Sequence, residues 1–146
     1  MLDVDDGATK AEWMTEIEHL RPTGLANNPT YTQVVTGRGA RTVYVSGQVA
    51  IDAEGALVGG GDLASQTEQV MVNLGIALAD AGASFDDVVK IVTYVVDYQP
   101  EHRAIIGKAR GRHLPTDNPP ASTLVGVTAL AAPEYLVEIE AVAITD

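Results

Sequence analysis

The segment DLASQTEQVMVNLGIALADAGASFDDVVKIVTYVVDY, residues 62–98, constrains the fold more than any other part of the chain. In its first two-thirds, Leu63, Val70, Leu74, Ala77, Leu78 and Ala81 fall on one helical stripe, the pattern of an amphipathic helix. Asp62, or Ser65 with Glu68 as a capping box, supplies the start, and Gly82 the stop. The remainder is β-branched, with Val89, Ile91, Thr93 and Val95 alternating onto one face. A long helix leading at once into a half-buried strand requires a layer of helix on a layer of sheet.

The flanking sequence extends this arrangement. YTQVVTGRG and TVYVSGQVAI, residues 31–39 and 42–51, are rich in Val, Thr and Tyr and read as strands about a GRGA turn. DAEGALVGGG, residues 52–61, reads as a turn with a short strand. Its triple glycine lacks the Gly-Lys-Ser/Thr ending of a phosphate loop and is a flexible lead-in to the helix. PEHRAIIGKARGRHL, residues 100–114, is a second helix with Pro100 in its first turn. ASTLVGVTAL and YLVEIEAVAI close the chain as two strands about an AAPE turn. The order β-β-(β)-α-β-α-β-β places each helix directly before a strand, so both helices are expected on one face of a mixed sheet, an α+β domain. The opposite sheet face carries Val, Tyr and Leu and needs a cover, which a homo-oligomer would provide. At the other end, residues 1–12 read as a tail, and Trp13, Ile17 and Leu20 recur at the spacing of a short helix. Trp13 is expected to dock on the protein's own surface or on a neighbouring subunit.

Composition narrows the function. The 146 residues are 46% hydrophobic and 20% charged, with a net charge of −11 at pH 7, which marks a folded chain whose field repels phosphate backbones. Arg103, Lys108, Arg110 and Arg112 cluster in the second helix, but Arg103 and Arg110 share one stripe and Lys108 and Arg112 another. This arrangement reads as a solvated helix face, and nucleic acid is not an expected partner. With no cysteine there is neither disulfide nor thiolate chemistry. The acidic N-terminal residues do not form a signal peptide, and no apolar run reaches the roughly 20 residues of a membrane helix. A soluble cytoplasmic protein without membrane contact is the expectation.

Three groups of residues invite chemistry. Glu138 and Glu140 alternate onto the same face of the last strand as Leu136, Val142 and Ile144. A carboxylate set among apolar side chains is the environment of a general acid or base, and two solvated glutamates on an edge strand are the alternative. Ser46-Gly47-Gln48 ends a strand with a hydroxyl, a flexible backbone and an amide, a set that can hold a carbonyl or carboxylate or form an ordinary bend. His19, His102 and His113 have no partner at metal-ligand spacing and read as surface histidines, so no metal site is expected.

Taken together, YVSGQVAID, QTEQVMVNLGIALADAGASFDDVVKIVTYVVD, PPAS and LVEIEAVAI resemble the Rid family, the reactive-intermediate deaminases formerly called YjgF and also labelled endoribonuclease L-PSP. The resemblance covers about residues 28–146 as one α+β domain and leaves 1–27 as an N-terminal extension with the short helix. It implies a chorismate-mutase-like fold, a mixed sheet with two helices on one face, assembled as a homotrimer around a central barrel with ligand clefts between subunits. It also implies hydrolysis of enamine or imine intermediates to keto acids and ammonia, without metal or cofactor. By motif match, Glu138 stands where a glutamate handles water, Ser46 and Gly47 stand at cleft positions, and Tyr31 at that of a cleft-lining tyrosine. Ser122 stands where the family's deaminases carry the arginine that binds the substrate carboxylate, and Ile105 takes a helix position that is polar in the family. A hydroxyl cannot replace a bidentate guanidinium; its loss in a half-buried site costs about 2–5 kcal/mol of binding.

The expected function is therefore a small-molecule hydrolase or deaminase acting on an imine, enamine or related carbonyl compound larger or less anionic than 2-aminoacrylate. Two alternatives stand beside it: a non-catalytic trimer that binds a metabolite or partner in the same cleft, and an endoribonuclease, which the negative charge disfavours.

Overall fold

Helix α1 (Leu63–Asp80) and strand β4 (Val88–Val96) form where the helical and alternating patterns meet. The computed structural model describes residues 14–146, so Trp13 lies outside the described residues. Strands β3 (Arg41–Gln48), β6 (Val137–Thr145), β4 and β5 (Ala121–Val127) form one sheet in that order. The β3–β6 and β6–β4 pairs are antiparallel and β4–β5 is parallel, so the sheet is mixed. Helix α2 (His102–Arg110) lies beside α1, and both cover the same sheet face. The two-layer α+β architecture follows.

The core lies between α1 and the sheet. Val70, Met71, Leu74 and Leu78 of α1 are fully buried against Ile91 of β4 and Val137 and Ile139 of β6. Gln66 is the buried polar residue that ties the layers together. Its amide donates to the carbonyls of Gly60 and Glu134 and accepts the N–H of Leu136 at 2.9 Å. The glycine lead-in and the entry to β6 are thereby fastened to one side chain, and a buried amide is left with its hydrogen bonds made.

Of the two possible helix starts, Asp62 is the one used: its carboxylate accepts the Ser65 N–H at 2.8 Å. Glu68 turns instead to Arg112 and His113, at 2.8 and 2.7 Å. Gly82, with φ of +73°, takes the left-handed conformation that ends the helix. Pro100 precedes α2 rather than entering its first turn. The short strand expected within residues 52–61 is reduced to one bridge between Ile51 and Leu57.

The N-terminal expectation needs correction. Ile17 and Leu20 do not lie on a helix: Glu16–Leu20 is strand β1, paired antiparallel with β2 (Val34–Arg38) as a separate two-stranded sheet. EIEHL fits both periods, with Ile17 and His19 half-buried on one side and Glu16 and Glu18 exposed on the other. A segment this short makes few helical hydrogen bonds, whereas pairing with β2 satisfies its backbone at once.

The helix-free face of the sheet carries Tyr44, 79% exposed, with Val92, Val125 and Val142. The covered face is apolar and the uncovered one is mixed.

Hydrogen bonding to Ser65 holds the Asp62 carboxyl below its ordinary value of 3.8. A group with a depressed folded pKa stabilises above its unfolded value and loses that contribution as pH falls through the folded one. Asp62→Ala is thus expected to melt below wild type at pH 7, the two curves converging as the pH is taken below 3.8. Thermal unfolding across that range checks this; equal melting temperatures at pH 7 contradict the cap.

Candidate functional site

On the helix-free face, Gly47 meets Glu138, and its neighbour Ser46 lies beside Glu140. β3 pairs with β6 at Val45–Ala141 and next at Gln48–Ile139, so a bulge leaves Ser46 and Gly47 outside the ladder. The backbone of Gly47 runs against the Glu138 side chain. A Cβ on Gly47 would lie 2.7 Å from the Glu138 carboxyl carbon and in collision with its oxygen. Glycine is required here for close approach rather than for backbone conformation. Glu138 faces Tyr94 across the β4–β6 pair. The Tyr94 hydroxyl donates to the Glu140 carboxylate at 3.3 Å, and its pKa is raised, first by desolvation and then by Glu140 and Glu138. Ser46 and Glu140 also line a shallow cavity of about 250 Å3 with Tyr44 and Lys90.

The other predicted residues lie on the opposite face. Tyr31 and Ser122 line a cavity of about 530 Å3 between β5, α2 and the segment before β2. Thr32 brings them together: it is buried, its N–H donates to the Pro120 carbonyl at 3.2 Å and its hydroxyl to that of Pro119. The double proline therefore anchors the Tyr31 segment next to the first residues of β5. Ser122 pairs with Ile91 in the parallel ladder and so points to the helix side.

Ser122 does not stand without a positive charge. The Arg110 guanidinium of α2 donates to its hydroxyl at 3.1 Å and to that of Thr93 at 3.4 Å. Arg110 is 9% exposed, and its Nε has no hydrogen-bond partner among the described residues. Burial pushes it down from the ordinary arginine value to about 10, yet it stays charged at neutral pH. The charged form being the disfavoured one, this costs folding about 3 kcal/mol at every pH below that value. Arg103 lines the same cavity. The expectation of a solvated cationic face is corrected for Arg110, which lies four residues after the fully buried Ile106 on the same side of the helix, while Arg103 is exposed. A cation in phase with a buried isoleucine was the signal available in the sequence.

Ile105 lies in neither group. It is 37% exposed, and its neighbour Ile106 lines the larger cavity instead, one residue being about 100° of helical rotation. The histidines are less exposed than expected: His19, His102 and His113 are all half-buried. His113 meets the Glu68 carboxylate at 2.7 Å and packs on Phe85 with ring centroids 5.7 Å apart. Glu68 is held below the usual carboxylate range, chiefly by that hydrogen bond.

Only the movable end of Glu138 opposes a side chain on Gly47. Gly47→Ala is expected to keep the fold while swinging the Glu138 carboxyl off the bulge; a crystal structure of the variant with that carboxyl unmoved contradicts the packing described.

Comparison with known proteins agrees with this architecture. The sequence model described as endoribonuclease L-PSP matches residues 23–145. DfrA of Myxococcus xanthus is 33% identical over 115 residues, 79% of this chain and 85% of that protein. The 2-iminobutanoate/2-iminopropanoate deaminase of Rattus norvegicus is 45% identical over 58 residues, 39% of this chain and 42% of its own length. Among solved structures, YyfB of Yersinia pestis, a Rid-family protein of unknown function, superposes with a TM-score of 0.84 at 41% identity, covering 88% of this chain and 98% of that one. A chain of two helices on a mixed sheet, matched over most of its length by these sequences and structures, belongs to the Rid family, whose sequence model bears the endoribonuclease L-PSP description.

Proposed function

We propose that the protein hydrolyses an imine, enamine or related carbonyl intermediate to a carbonyl compound and ammonia. The observation that carries this reading is Glu138, a half-buried carboxylate packed against the backbone of Gly47 in the β3 bulge. The deaminase name of the rat relative supports the same class of reaction.

In this reading Glu138 accepts a proton from water as the oxygen attacks the C=N carbon, and the nitrogen takes up a proton. The resulting carbinolamine collapses: its hydroxyl proton passes by way of Glu138 to the nitrogen, the C–N bond breaks, ammonia leaves with its electron pair, and the C–O bond becomes the carbonyl. An enamine first takes a proton at carbon to become the imine. Ser46 and Gly47 orient the reacting group through neutral hydrogen bonds. No metal or cofactor enters the sequence.

The two residue groups lie on opposite faces of one sheet, so a single chain does not bring Tyr31 and Ser122 to Glu138. A homotrimer in which the helix-free faces turn inward would cover Tyr44 and allow the Ser122 group of one subunit to meet the Glu138 group of the next. The small-molecule cleft then lies between subunits.

Glu138→Gln keeps the side chain's volume and removes the base. With imino acids generated in place by an amino-acid oxidase, it is expected to lower kcat by about 10²–10⁴-fold, with an unchanged melting temperature. Sedimentation is expected to give three times the 15.3 kDa chain mass. A wild type that matches the uncatalysed rate on both short-chain and aromatic imino acids contradicts the reading.

A further inference from the structure

A buried guanidinium that meets only neutral hydroxyls is an unusual expense for a protein. Arg110 has no carboxylate partner among the described residues; its contacts are Ser122 and Thr93, and its Nε–H is unused. That N–H is buried without a partner, so the guanidinium keeps donor capacity that no described protein group uses. Among the described residues, the cavity it lines contains Arg103 as a second cation and no aspartate or glutamate, in a chain whose net charge is −11. The local field is positive where the overall field is negative. We propose that Arg110, with the Ser122 hydroxyl beside it, seats a carboxylate, and that the cavity takes monocarboxylates with an extended apolar or aromatic body.

The second half of that statement comes from the walls. Tyr31, Tyr98, Ile106, Leu114 and Leu124 surround the space beyond the guanidinium. A volume of about 530 Å3 is in the range of pockets that hold drug-sized ligands, and a three-carbon acid would leave most of this wall bare. Arg110 belongs to α2 rather than to β5, so the charge enters from above Ser122 and shares its hydroxyl. As a statement of substrate class the proposal rests on the imine-hydrolase reading; the binding of an acid at Arg110 does not depend on it.

The test is calorimetric titration of the full chain with 3-phenylpropanoate, its amide and propanoate, in wild type, Arg110→Met and Arg110→Lys. In wild type the aromatic acid should bind at least tenfold more tightly than either its amide or propanoate. Arg110→Met should lose at least tenfold in affinity for the acid while melting at a higher temperature than wild type, since it removes a buried unpaired charge. Arg110→Lys should retain part of the affinity. A structural arginine would give the opposite: Arg110→Met would melt lower and the assembly would loosen, and either result overturns the proposal. So does equal binding of acid and amide, or failure of the acid to bind wild type. Turnover of the imine made from phenylalanine separates the two claims. If no turnover occurs while acid binding still requires Arg110, the hydrolase reading fails and the acid site stands. If Glu138→Gln abolishes turnover but Arg110→Met keeps its kcat/KM, the acid site fails and the hydrolase reading stands.

Discussion

Strand β6 runs through the middle of the sheet with β3 on one side and β4 on the other, and its alternation governs the rest of the molecule. Val137, Ile139, Ala141 and Ala143 are buried beneath α1, so Glu138, Glu140, Val142 and Ile144 must face the other way. A shift of one residue in register would bury both glutamates under the helix and expose the core, an outcome that the burial of unpaired carboxylates forbids. Gln66 fixes that register at the strand's entry by holding Glu134 and Leu136, and the bulge in β3 then brings Gly47 onto Glu138. The water-handling side of the proposed chemistry is a consequence of how one strand meets one helix.

The other side rests on a balance of the opposite kind. Helix α2 covers the outer part of the sheet with Ile106, Ala109 and Arg110, two apolar residues and a cation. An apolar residue at Arg110 would serve packing better, since the guanidinium costs about 3 kcal/mol and meets only hydroxyls. Stability given up in a cavity wall is what a binding site requires when its ligand carries the missing charge. Ser122 marks the start of β5 and carries the hydroxyl with which Arg110 shares that cavity.

Much of this was legible in the chain. Helix α1, strand β4 and the two faces of β6 follow from residue periodicity, whereas the approach of Gly47 to Glu138 depends on the bulge in β3. Strand β1 was not legible, because EIEHL satisfies a helical and an alternating period equally and the partner that decides between them lies in β2. The separation of Glu138 from Ser122 depends on strand order and on the parallel β4–β5 pair, neither of which a local pattern contains. The burial of Arg110 is intermediate: the helical wheel places it with Ile106, but only the packing of α2 over Thr93 and Ser122 shows that this side chain faces inward. The pairing of His113 with Glu68 joins residues 45 positions apart and has no local signature.

The central claim is that the positive charge this cleft offers comes from α2. It is tested most directly by a crystal structure of the full chain with an aromatic monocarboxylate bound. The account predicts the carboxylate within hydrogen-bond distance of both the Arg110 guanidinium and the Ser122 hydroxyl, with the ring against Tyr31 and Leu124. An Arg110 satisfied by a protein carboxylate from another copy, with the acid bound elsewhere, would contradict it.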